Sequence, residues 1–163
     1  HQGSEALAIE RMIEFNDKNK TLIVGNLFSS IAVSTGVEGT VFGISQISLG
    51  ATTSILSDKS LYPYFFRMGP PNFGQVKSIA AAIEYYYNLE GTGWNEISII
   101  CTAIEYGIDL SQSFIEETHD RFSIESYQQY LPDPLPEDLE IEFTEIQKSK
   151  ARVIVALVLN FDW

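Results

Sequence analysis

Strand-sized apolar runs alternate with longer segments of helical spacing along almost the whole chain, and this alternation is what most limits the folds open to it. Residues 21–24 are a short apolar run and 152–159 a longer one, both expected as buried strands; 44–49 reads as a second strand, 96–102 as an Ile-rich strand and 123–128 as a further one. Between them, 4–18, 31–42, 73–89, 108–120 and 139–148 read as helices. The strongest helical signal is 73–89, where Val76, Ile79, Ala80, Ile83 and Tyr87 mark one stripe. In 4–18 the stripe is Ala6, Ile9, Met12 and Ile13, and in the second helix Val33, Val37 and Val41 share a face. Gly36 and Gly39 weaken that second helix or let it pack closely. Strands alternating with helices at this spacing predict an α/β fold with parallel sheets and right-handed crossovers.

Punctuation supports the division. Gly25 and Gly50 close the first two apolar runs, Pro70-Pro71 breaks the chain, and Gly91-Thr92-Gly93 ends the third helix. Ser29 or Ser30 is placed to cap the second helix. Leu61 to Arg67 is an aromatic segment, and 131–136 is a Pro-rich loop. In sheets of this type ligands sit beyond the carboxyl ends of the strands, so the loops after Val24, Leu49 and Thr102 are the places to look for function.

Charge and composition exclude several partners. The formal net charge is −12, from 22 acidic and 10 basic residues, so neither a phosphate backbone nor an anionic membrane surface is a natural partner. Part of the excess is local, at Asp133, Glu137, Asp138, Glu140, Glu142 and Glu145, and reads as a solvated face. Cys101 is the only cysteine, which rules out an internal disulfide. The sequence opens at His1 without Met or leader, so its targeting information is expected to lie outside it. No apolar run approaches the roughly 20 residues of a membrane helix. Asn19-Lys20-Thr21 is an N-glycosylation sequon.

Catalytic patterns are missing. Gly91-Thr92-Gly93 has Glu96 where a dinucleotide loop needs its third glycine, and a strand follows where a helix should. There is no phosphate-binding loop of the Gly-x-x-x-x-Gly-Lys type and no nucleophile elbow. Apart from His1, His119 is the sole histidine, and it reads as a solvated residue beside Asp120. One such histidine and one cysteine cannot form a usual zinc or Cys–His site. The expectation is a protein that is not an enzyme, with no cofactor and no metal.

A set of short motifs in fixed order carries a resemblance. Leu56-Ser57-Asp58-Lys59, Tyr62-Pro63-Tyr64-Phe65-Phe66-Arg67 and Pro70 resemble the ligand-binding region of class C G-protein-coupled receptors, a group that includes metabotropic glutamate, calcium-sensing and taste receptors. The likeness runs through Ser29-Ser30, Gln46-Ile47-Ser48 and Ala51-Thr52 to Gly93-Trp94, Glu105-Tyr106-Gly107 and Lys150 to Val155. It implies a periplasmic-binding-protein type I (Venus flytrap) fold, a parallel-sheet sandwich of two lobes that close on a ligand. On that reading residues 1–102 are a nearly complete first lobe without its opening strand, and 103–163 are the crossing and the start of a partial second lobe.

The resemblance also implies a site. Ser29 and Ser30 match a serine pair that binds a ligand carboxylate with side chain and backbone N–H, at a helix N-terminus that favours anions on general grounds. A plain helix cap is the alternative. Gly50, Ala51 and Thr52 match a step that touches ligand backbone, and Tyr106 matches a tyrosine lining the cleft. Asn72 stands where glutamate receptors carry an Asp that pairs with the ligand's amine, and a neutral amide cannot supply that charge-assisted bond. Pro71 replaces a usual serine there, and Ser123 stands where many members have a disulfide cysteine.

The implied function is that of an extracellular ligand-binding region on the outer side of the plasma membrane, sensing a small, amino-acid-like molecule by lobe closure. The membrane segments would lie outside this chain. A soluble periplasmic-type binding protein, or a degenerate dimerisation copy without ligand, is the alternative. A homo- or heterodimer through the first lobe is implied, with Val41, Phe42, Tyr85 and Tyr86 as exposed candidates. Ser29, Ser30, Gly50, Thr52 and Tyr106 are expected to line one cleft.

Overall fold

The computed structural model describes residues 4–90 and 94–158. The turn expected at Gly91-Thr92-Gly93, His1 and the end of the last strand at Leu159 lie outside them. The chain divides into two compact units, His1–Asn72 and Phe73–Trp163.

In the first unit, α1 (Glu5–Asp17) is followed by β1 (Leu22–Val24), α2 (Ser29–Phe42), β2 (Ser45–Ser48), a 3-10 turn at Ser54–Ser57 and β3 (Phe65–Arg67). The three strands form one parallel sheet in the order β1-β2-β3, with Ile23 opposite Gln46 and Gln46 opposite Phe65. The short β3 comes from the aromatic segment, whose composition alone does not announce a strand. Ser4 caps α1, its hydroxyl accepting from the Leu7 N–H at 3.3 Å. At the end of α2, Gly43 takes the left-handed conformation (φ 67°) that closes a helix and turns the chain into β2.

Two helical faces differ from the expected ones. The buried face of α1 is Ala8 and Met12, while Ala6 and Ile13 face solvent. The buried face of α2 is Ile31, Ala32, Thr35, Gly36 and Gly39, whereas Val37 and Val41 are exposed, Val41 at 71%. Close approach decides this. A Cβ at Gly39 would stand 2.8 Å from the Ile44 carbonyl oxygen, and one at Gly36 would meet the Tyr62 ring at 3.0 Å. The glycine-bearing face is the only one that can lie that near its neighbours, so the valines turn outward.

The strand at residues 21–24 is not the buried strand its composition suggests. Leu22, Val24 and Phe66 lie on the sheet face away from α2 and are exposed by about half or more. The other face holds Gln46, Ser48 and Phe65, all buried, against a core of Ala32, Ala51, Leu56 and Tyr62.

The second unit contains α3 (Asn72–Glu90) from Phe73 onward, β4 (Glu96–Thr102), α4 (Glu105–Thr118), β5 (Ser123–Tyr130), a 3-10 turn at Pro136–Leu139, α5 (Glu140–Lys148) and β6 (Val153–Leu157). Its sheet is also parallel, in the order β5-β4-β6. β4, the Ile-rich strand, is central and buried on both faces, its polar residues Ser98 and Thr102 included. On one face Ile97, Ile99 and Cys101 meet Val76 and Ala80 of α3 and Leu110 and Phe114 of α4; on the other Ile100 meets Tyr130 and Ile146 of α5. Fully burying a side chain the size of Phe114 or Ile99 contributes about 1.5–3 kcal/mol.

The division at Asn72 differs from the boundary expected after Thr102. β4 pairs along nearly its whole length with β5 and β6, so it belongs to the second unit and cannot close the first. Likewise α4 starts at Glu105, ahead of the expected 108, which puts Tyr106 on the first turn of a helix. β6 is an edge strand whose outward residues Ile154 and Ala156 are exposed, not the fully buried strand its apolar run suggests. Of the residues named for pairing, Val41, Tyr85 and Tyr86 are exposed and Phe42 is half-buried. The Tyr85 and Tyr86 rings meet edge to face at 5.4 Å.

Candidate functional site

The carboxyl ends of β1 and β2 bring together the loops at 25–30 and 49–53. Asn26, in the left-handed region at φ 62°, turns the chain after β1, and Phe28 is the residue preceding α2. Among the described residues no side chain caps α2, and Ser29 and Ser30 are its first two helical residues rather than its cap. The opening N–H groups of α2 have no intrahelical partners, so they present the positive end of the helix dipole.

The two serines have separate roles. Ser29 is buried, and its hydroxyl oxygen accepts from the N–H groups of Thr52 (3.3 Å) and Thr53 (3.4 Å). It stitches the second loop to the start of α2. Ser30 is only half-buried, at the second position of the helix.

The loop from Gly50 to Thr53 is held from several sides. The Ser48 hydroxyl accepts from the N–H groups of Ala51 (2.9 Å) and Gly50 (3.3 Å) and donates to the Asn26 carbonyl at 2.6 Å. Arg67 Nη1 donates to the Thr53 carbonyl at 3.0 Å, and its Nη2 to Ser57 Oγ at 2.7 Å. The Asn72 N–H donates to the Thr52 carbonyl at 2.8 Å. Ala51 is a core residue, and Gly50 packs so closely on Leu27 that a Cβ there would lie 2.3 Å from its Cδ1. Asn72 is fully buried.

Thr52 stands apart. Its Oγ1 is shielded from solvent and has no hydrogen-bond partner among the described residues. Behind it, Asn26 Nδ2 donates to Thr35 Oγ1 at 2.7 Å, and Thr35 Oγ1 also lies 3.1 Å from Gln46 Oε1.

The first unit thus brings Ser29, Ser30, Gly50, Ala51, Thr52 and Asn72 into one neighbourhood, with only Ser30, Gly50 and Thr52 retaining partial exposure. Sequence reasoning missed the roles of Asn26, Ser48 and Arg67. Ser48 carried a signal, because a serine two and three residues before free backbone N–H groups is a recurrent turn former. The aromatic motif also proves to be scaffold. Lys59 donates to the Phe65 carbonyl with its ammonium 5.0 Å from the Phe66 ring centre, and Asp58 accepts from the Ser60 N–H and hydroxyl. Those bonds hold the Asp58 carboxyl below its ordinary pKa, while burial, helped by Arg67, lowers that of Lys59.

Tyr106 lies in the second unit, half-buried against its core, and burial raises its phenol pKa above the ordinary tyrosine value. Gly107, next to it, lets α4 start against β4: a Cβ there would lie 2.2 Å from the Thr102 carbonyl oxygen. A groove of about 640 Å³ in the same unit, lined by Pro136, Phe143, Ile146, Ala151 and Ile154 among others, involves none of the candidate residues. His119 is on the surface, 3.0 Å from Asp120.

Known proteins align with this sequence. The profile described as "Receptor family ligand binding region" matches residues 1–160. The chain is 30% identical over 141 residues to a G-protein coupled receptor family C group 6 member A of Carassius auratus, covering 82% of the chain and 15% of that protein. It is 36% identical over 85 residues to a taste receptor type 1 member 3 of Felis catus (52% of the chain, 9% of the relative). It is 29% identical over 144 residues to a metabotropic glutamate receptor-like protein E of Dictyostelium discoideum (84% and 17%). The chain therefore spans less than a fifth of the length of these relatives. With its parallel α/β sheets and a match over nearly its whole length, the chain belongs to the receptor family ligand-binding region, of the periplasmic-binding-protein type I fold and the class C receptor kind.

Proposed function

We propose that this chain is part of the extracellular ligand-recognition region of a class C receptor-like protein, and that its first unit holds the anionic group of a small, amino-acid-like ligand. The observation that carries the reading is the uncapped N-terminus of α2 beside a shielded Thr52 hydroxyl that lacks a partner among the described residues. The first N–H groups of α2 and the Ser30 hydroxyl would bind a carboxylate, as helix N-termini do for anions generally. Thr52 would add a hydrogen bond. Ser29, Gly50, Ala51 and Asn72 act through the loop they shape or support. Tyr106 is the candidate that the family resemblance contributes from the second unit. Recognition would proceed by closure, a shift in an existing open–closed equilibrium limited by the ligand's differential affinity for the two states.

Membership of this receptor family supports placement outside the plasma membrane. Among the described residues no helix is long and apolar enough to cross a membrane. Pairing with a second receptor chain through the exposed valine face of α2 belongs to the same reading, since Val37 and Val41 offer apolar surface without a partner in the core.

The test is thermal and calorimetric titration of the chain with the L-amino acids and with simple mono- and dicarboxylates. A ligand at a hundred times its Kd stabilises the folded state by about 2.7 kcal/mol. At least one acid is expected to stabilise the protein, with weaker binding in Ser30→Ala. No response to any of them would overturn the reading.

A further inference from the structure

The sequon at Asn19 is unused by the ligand-binding reading, and its setting gives it a role. Asn19-Lys20-Thr21 is the only Asn-x-Ser/Thr triplet in the 163 residues, and its middle residue is not proline. It forms the turn between the end of α1 at Asp17 and the start of β1 at Leu22. All three residues are exposed. Asn19 takes the left-handed conformation at φ 52°, which asparagine tolerates better than most residues.

Backbone groups alone hold this turn. The Asn19 N–H donates to the Asn16 carbonyl at 2.9 Å and the Lys20 N–H to the Phe15 carbonyl at 2.8 Å, while the Thr21 carbonyl accepts from the Ser45 N–H at 2.9 Å. The side-chain amide of Asn19 and the Thr21 hydroxyl have no hydrogen-bond partner among the described residues. An exposed acceptor amide is thus presented on a turn held by its backbone, with no side-chain hydrogen bond to break among the described residues.

We infer that Asn19 carries an N-linked glycan. The inference rests on the extracellular placement argued above, because the reaction takes place in the secretory pathway. The donor is an oligosaccharide joined to a lipid through pyrophosphate. Asn19 Nδ2 forms a bond to the anomeric carbon, the bond from that carbon to the pyrophosphate oxygen breaks, and the lipid pyrophosphate leaves with the electron pair. The amide gives up one proton to a base of the transferase, so nothing is oxidised or reduced. Thr21 supplies the hydroxyl that the transferase requires at the second position after the acceptor.

The location is compatible with ligand binding. Asn19 precedes β1, at the amino-terminal edge of the parallel sheet, whereas the loops bearing Ser30, Gly50 and Thr52 follow the strands at the opposite edge. A bulky, solvated glycan there leaves those loops open.

The experiment expresses residues 1–163 in mammalian cells behind a cleavable secretion leader and a linker carrying a second sequon of known competence. Products are digested with an amidase that removes N-glycans and converts the acceptor Asn to Asp, then mapped by peptide mass. Wild type is expected to carry two glycans, Asn19→Gln and Thr21→Ala one each, and Thr21→Ser two. A linker glycan with Asn19 unmodified, whether the chain is secreted or retained, overturns the inference, because the linker reports delivery to the lumen. The extracellular reading stands or falls separately, on whether the naturally targeted protein is reached by protease at the surface of intact cells.

Discussion

Replacing Thr52 by Val separates the cost of a functional group from its use. Valine keeps the shape and β-branching of threonine, so the backbone of the loop has no reason to move. What changes is Oγ1, which is shielded from solvent and without a hydrogen-bond partner among the described residues. A buried polar group left unsatisfied costs about 1–3 kcal/mol, and replacing it with a methyl removes that cost. Thr52 is only partly buried as a residue, so the lower end applies. Thr52→Val should therefore stabilise the free protein by about 1 kcal/mol. With ligand the sign reverses: a lost neutral hydrogen bond of about 0.5–1.5 kcal/mol would weaken binding roughly two- to thirteenfold. Equilibrium urea unfolding, with hydrogen exchange at residues 50–53, measures the first effect, and calorimetric titration with whichever acid stabilises the protein in the screen proposed above measures the second. Destabilisation of the free protein would mean that the hydroxyl is already bonded there. Higher stability with unchanged affinity would leave Thr52 without a part in recognition.

Ser29→Ala should behave in the opposite way, because the N–H groups of Thr52 and Thr53 lose the oxygen they donate to; a loss of about 1–2 kcal/mol, with faster amide exchange at both positions, is expected. Gly107→Ala forces a Cβ against the Thr102 backbone and should cost about 3 kcal/mol or more. Gly50→Ala meets mainly the exposed Leu27 side chain, which can swing away, and should cost about 1 kcal/mol in the same urea assay. Burial raises the pKa of both Tyr106 and Tyr127, so the unfolded chain loses these protons first as pH climbs past the ordinary tyrosine value of about 10. Stability of the second unit should be intact below that pH and decline above it, less steeply in Tyr106→Phe, as unfolding midpoints across an alkaline series would reveal.

What the sequence discloses depends on how many neighbours a segment has. β4 is legible because its clustered β-branched isoleucines mark a strand covered on both faces, whatever surrounds it. β1 and β6 are likewise rich in apolar β-branched residues, but they lie at sheet edges and keep exposed residues among those described, which composition does not reveal. α2 misleads for a different reason. Hydrophobicity favours Val37 and Val41 for the interior, yet close backbone approach selects Gly36 and Gly39, and the valines are left outside. The division at Asn72 was hidden because Pro70-Pro71 reads as a simple break, and only the pairing of β4 with β5 and β6 shows on which side it falls.

The candidate site has the same limit at finer scale. Motif matching finds Ser29, Ser30 and Thr52 together, but it cannot divide labour among three hydroxyls. The partner that occupies Ser29 lies 23 residues further along the chain, and Arg67 reaches Thr53 across 14. Once those contacts are known, the division follows. Ser48, Ser29, Arg67 and the Asn72 N–H each hold part of the loop from Gly50 to Thr53. A loop secured by that many bonds would lose little further entropy on binding a ligand, the condition under which a single added hydrogen bond counts most fully toward affinity. Thr52 Oγ1 is the shielded hydroxyl that those contacts leave without a partner among the described residues.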